Sequence, residues 1–181
     1  MGQDTNPLLP YESIPDYPDA FNAVTVAARM IDGLGYRYFW ATEGLRDEDL
    51  HYKASETSRS TFETLKHIHG LSKTIYNGTI AAPNIRSGDQ GELSFLMLRE
   101  ETLKTLFKAS EKLKASHSSE MENMKIIFQR GDQSSEFPFW NMINGPIADA
   151  LWHAGQVVAF RRASGNPINP NVSVFSGKNR K

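Results

Sequence analysis

The stretch Asp149-Ala-Leu-Trp-His153-Ala-Gly-Gln156 decides how the rest of the chain is read, because it sets a carboxylate and an imidazole one turn apart on an otherwise apolar helix. Four residues at about 100° each bring the second side chain back to within about 40° of the first and roughly 6 Å further along the axis. Both ligating atoms can then meet one ion. Gln156 falls about 20° to the other side of Asp149, so three polar groups share a narrow arc. Everything else between Ile147 and Phe160 is Ala, Gly, Leu, Val, Ile, Phe or Trp. The solvated stripe of an amphipathic helix has the same form. Yet Phe160 lies inside this arc, at about 20°, and Trp152 lies about 60° from Asp149. A carboxylate held among such aromatics has to be paired, hydrogen-bonded or metal-bound. Trp152 and Phe160 are therefore read as lining a cavity, and Gln156 as a hydrogen-bond partner that orients a ligand.

Outward from this helix, Gly145-Pro146 suits its start and Gly165 with Pro167 its stop, while Arg161 and Arg162 complement the negative end of its dipole. Upstream, apolar residues recur at threes and fours from Asp19 to Leu45, which predicts a long first helix bent at Gly33 and Gly35. Ser60-Thr-Phe-Glu63 reads as a capping box, opening a second helix that runs to about Asn77 with Gly78 as its stop. Residues 79–91 read as loop. A third helix takes in Leu93 to about Ala115, with Leu96, Leu103, Leu106, Phe107 and Leu113 on one face and Arg99 among the charges of the other. Between the third and fourth helices, Met124–Phe128 is β-like and Arg130-Gly-Asp-Gln-Ser reads as a turn, which predicts a small hairpin. The expected fold class is all-α, a four-helix bundle over residues 19–165. It is flanked by a Pro-rich N-terminal arm (1–18) and an extended C-terminal tail (166–181).

At 181 residues and 39% hydrophobic content the chain suits one well-buried core. A formal charge of -1 gives no global electrostatic reason to bind nucleic acid or anionic lipid. The chain has no cysteine, so thiolate metal sites and cysteine nucleophiles are excluded and any metal is held by His, Asp or Glu. No apolar run reaches the roughly 18 residues of a membrane span, and no signal peptide is visible, so a cytoplasmic protein is expected.

A catalytic metal site has about three protein ligands and an open position. His51 and His117 lie in connectors. His67 and His69 lie on the second helix, about 160° apart on the wheel, one on each flank of its apolar arc, so they cannot both face one ion. Geometry alone leaves both open.

Ser60-Thr-Phe-Glu-Thr-Leu-Lys-His67-Ile, followed far downstream by His153-Ala-Gly155-Gln156, resembles the DinB-like (YfiT-like) family of metalloenzymes. In that family a Ser-rich cap opens the second helix, a His follows seven residues later before an aliphatic residue, and the last helix carries two His four apart. The resemblance therefore points to His67, with His153 as the later His and Asp149 in place of the earlier one. It implies a four-helix bundle holding one divalent ion through His67, Asp149 and His153, and a homodimer. Zinc or nickel is the implied metal, and the carboxylate opens the site to iron or manganese as well.

Members of that family are described in two ways, and both have a physical basis. Some transfer low-molecular-weight thiols, which the ion would hold deprotonated for attack on an electrophile. Others are described as hydrolases, in which the ion would lower the pKa of a bound water. Thiol S-transfer is the favoured expectation, with a small-molecule substrate and a thiol supplied from outside, since the chain has none. A non-catalytic metal-binding or dimerising helical module is a further reading.

Overall fold

The structure, a computed structural model, describes residues 9–85 and 93–181. Residues 1–8 of the arm, and Gly88, Asp89 and Gly91 of the expected loop, lie outside the described residues. Four long helices dominate: α1 (Ala23–Thr42), α3 (Thr61–Thr79), α4 (Phe95–Lys114) and α6 (Ala148–Ala163). A short α2 (Asp47–His51) bridges α1 and α3, and α5 (Trp140–Met142) leads towards α6. Helix α1 packs against α4 and α6, and α3 packs against the same two. Their facing sides meet in a core that includes Ile31, Leu34, Leu65, Ile68, Leu103 and Leu106, all fully buried.

Local chemistry explains where the helices begin. The Ser60 hydroxyl accepts from the Glu63 N–H, and the Glu63 carboxylate accepts from the Ser60 N–H at 2.7 Å, which is the expected capping box. A second box, Asn22 with Thr25, opens α1. Each cap is worth about 1 kcal/mol. Gly78 does not stop α3. It lies inside the helix against Met142, where a Cβ would collide with the methionine methyl. Gly145-Pro146 likewise marks a kink rather than a start. Residues Ile143–Ile147 form a wide π turn with Gly145 at φ -97° and ψ -106°, since proline disfavours helical backbone in the residue before it.

The fold is mostly helical but not all-α. The expected hairpin is present as β2 (Lys125–Arg130) and β3 (Gln133–Pro138), antiparallel, with Arg130 opposite Gln133. Gly131 turns it at φ +57°, a left-handed conformation that glycine adopts without strain. A third strand, β1 (Pro83–Ile85), pairs in parallel with β2 inside the stretch expected to be loop. Its three residues show no alternation to read, and its partner lies beyond α4.

Two expectations for the third helix are corrected. Leu96 is exposed, because the buried face is set by Leu98, Thr102, Leu103, Leu106, Ala109 and Leu113. Arg99 is buried: its guanidinium donates to Thr42 Oγ1 at 2.9 Å and to Glu43 Oε2 at 2.5 Å, and lies over the Phe39 ring. Arg161 is buried too. It donates to the carbonyls of Trp40, Ala41 and Glu43, satisfying the open C-terminal end of α1 rather than that of its own helix.

The described part of the arm is packed. Tyr11, at φ 77°, buries its ring against Gly35 and donates its hydroxyl to Asp32 at 3.0 Å. The Ile14 N–H donates to the Gly177 carbonyl, and Lys178 lies 3.3 Å from Asp16. Arm and tail thus hold each other against α1, where Tyr36 donates its hydroxyl to Asn179.

Candidate metal centre

The polar arc of α6 faces the first half of α3, with the two helices in direct contact. His67 Nε2 lies 3.0 Å from Asp149 Oδ2, and His153 Nε2 lies 3.2 Å from Asp149 Oδ1. The two imidazole rings meet edge to face, 4.7 Å apart at 88°. One ligand atom from each of the three residues lies within 4.8 Å of the others, a spread that could close around one ion. An ion with ligand bonds of about 2.0–2.1 Å separates its ligands by roughly 2.9–3.4 Å. Both carboxylate-to-imidazole distances fall in that range.

Hydrogen bonding on the far side of His153 sharpens the case. Its Nδ1 lies 2.6 Å from the Gln156 side-chain amide, a contact that fixes the orientation of the ring. The opposite nitrogen, Nε2, faces Asp149 Oδ1. Where Nδ1 donates to the amide oxygen, the Nε2 lone pair is left to share one ion with Asp149 Oδ1, 3.2 Å away. The donor set, two imidazoles and a carboxylate without sulfur, fits zinc, nickel, iron(II) or manganese.

The other histidines lie elsewhere. His51 is exposed and turned to the Asp47 carbonyl, and His117 caps the 3-10 turn Ser118–Asn123. His69 is buried on the opposite flank of α3, where its Nδ1 meets Thr102 Oγ1 of α4 at 3.1 Å. Burial, reinforced by Lys73 and opposed by Glu101, pushes its pKa below the usual histidine value.

The centre opens to solvent. The side chains of His67, Asp149 and His153 are 33%, 43% and 17% exposed. Trp152 does not enclose it as expected, being three-quarters exposed on α6. Phe160 is half-buried and stacks at a tilt on Tyr52, 5.7 Å away, a neighbour in the α2–α3 connector that no sequence pattern marked. No helix among the described residues is long and apolar enough to cross a membrane. Comparison with protein-family models, with curated proteins and with solved structures finds no match to this chain.

Proposed function

We propose that the chain is a DinB-like four-helix bundle that holds one divalent ion through His67, Asp149 and His153 and works as a metal-dependent thiol S-transferase. The observation that carries this reading is the convergence of the three ligand atoms within 4.8 Å from two helices 82 residues apart in sequence at His67 and Asp149. Bound there, the ion would supply Lewis acidity, favouring the thiolate of an incoming thiol. His67 and His153 offer neutral nitrogen, Asp149 balances one positive charge, and Gln156 fixes the ring of His153. The partial exposure of all three leaves room for two small molecules to approach from solvent. In the transfer, sulfur forms a bond to an electrophilic carbon, the bond to the leaving group breaks with its electron pair, and the thiol proton passes to solvent. A homodimer belongs to the same reading and is checked by sedimentation.

Metal analysis of the purified full chain tests the ligand set: about one zinc or nickel per chain is expected, with loss in His67→Ala and in Asp149→Ala. Full occupancy in either variant overturns it. Incubating the metal-loaded protein with an alkylating electrophile, with and without a bacillithiol-like thiol, tests the reaction. Turnover that requires the thiol supports transfer, whereas turnover independent of it replaces transfer with hydrolysis. A metal whose removal lowers stability and changes no turnover would make the protein a non-catalytic module.

A further inference from the structure

We propose that a cavity at the N-terminal end of α1 binds a small organic cation: an amine or quaternary ammonium carrying an aromatic or short alkyl body. The cavity measures about 550 Å³ and is bounded by α1, the 3-10 turn Ser118–Asn123 and the junction of β3 with α5. Spaces of roughly 300–1,000 Å³ hold small molecules. None of His67, Asp149 and His153 lines it.

Its walls are aromatic and aliphatic. Phe139 is buried, whereas Phe21 and Trp140 leave their rings 96% and 77% exposed at the same cavity. Val26, Met30 and Ile143 supply the rest of the apolar surface. Two large aromatics left uncovered beside one cavity are a costly use of surface unless something covers them.

Charge selects the occupant. Glu122 is the one charged side chain among the lining residues. Glu120 and Glu136 pair with Lys112 and Lys125, but Glu122 has no ion-pair partner among the described residues. The Asn22 side-chain oxygen is already used in capping α1. A cation is attracted both by the carboxylate and by the negative faces of the aromatic rings. The N-terminal end of α1 carries a partial positive charge of about half a unit, which the full negative charge of Glu122 outweighs, so the net preference is for a cation.

Calorimetric titration of the full chain with octyltrimethylammonium and with octanesulfonate, each below its micellar concentration, tests this. Saturable binding of one ammonium ion per chain is expected, at least about tenfold tighter than the sulfonate. Glu122→Gln, at an exposed position, should bring the two affinities to within about threefold. Val26→Trp, on the exposed side of α1, should fill the cavity and abolish binding while the circular dichroism spectrum is unchanged. Absence of saturable binding, equal affinity for both ions, or binding retained in Val26→Trp overturns the proposal. So does a dimer of the wild-type chain that Val26→Trp dissociates, because the cavity would then be a contact between two copies.

Discussion

Gln156 Oε1 and His153 Nδ1 lie 2.6 Å apart, and this contact holds the ring with its opposite nitrogen facing Asp149 Oδ1 at 3.2 Å. A metal held by His153 would feel the amide through the ring. Gln156→Ala is expected to weaken zinc or nickel binding by roughly 10–100-fold without changing the number of ions bound at saturation. Gln156→Glu, which keeps an acceptor, is expected to hold most of the affinity. A chromophoric chelator competition gives both values, and unchanged affinity in Gln156→Ala would remove the amide from the site.

His67 and His69 should separate cleanly by substitution. His67 is a third exposed and faces α6, while His69 is buried and tied to Thr102 of α4. His67→Ala should abolish metal binding and leave the metal-free protein nearly as stable. His69→Ala should cost about 1–3 kcal/mol in urea unfolding and leave metal stoichiometry intact. The reverse pattern would mean that the wrong flank of α3 has been assigned.

Two buried groups set linkages to pH of the same sign, in separate windows. The folded-state pKa of His69 is lowered by burial, so the unfolded chain takes up a proton first. Its stability contribution is full above about pH 6.5 and is lost as pH falls below that towards the folded-state value. The Asp49 carboxyl is held well below its usual range by hydrogen bonds from Arg46, helped by Ser164 and Asn166. Its contribution is present above about pH 4 and is lost as pH falls through the depressed value. In a chelator, thermal melts of His69→Gln should flatten the limb just below pH 6.5, and those of Asp49→Asn the limb below pH 4. A wild-type slope persisting in either variant would assign that limb to other groups.

Gly35 and Tyr11 occupy one space. A Cβ at Gly35 would overlap three atoms of the Tyr11 ring, which as a rigid plane cannot yield by a methyl rotation. Gly35→Ala should therefore expel the ring, leave Asp32 with only Lys114 as partner, and cost about 1–3 kcal/mol. Faster limited proteolysis near Tyr11 would report the release. Unchanged cleavage would show that the ring had repacked in place.

What the sequence made legible follows from the range of the interactions involved. The Ser60–Glu63 box, the hairpin turning at Gly131 and the Asp149–His153 spacing are local, and local rules reach them. Strand β1 escaped because Pro83-Asn84-Ile85 gains its identity from β2, more than forty residues on at Ile127. The burial of Arg99 and Arg161 was hidden for a similar reason: each is satisfied by the C-terminal end of α1 rather than by its own helix. The choice between His67 and His69 depends on which side of α3 receives α6 and which receives α4, and a helical wheel carries no such information. Trp152 is three-quarters exposed, since an apolar side chain on a helix does not imply burial.

The clasp between Ile14 and Gly177 orders events in time as well as in space. A ribosome makes the arm before the tail, so Tyr11 can find Asp32 early, but Ile14 has no carbonyl to meet until residue 177 has emerged. At synthesis rates of roughly 5–20 residues per second, the arm waits on the order of ten seconds for its partner. Throughout that interval the helices must hold the nascent chain without the clasp, and a late segment completes a contact that an early one began.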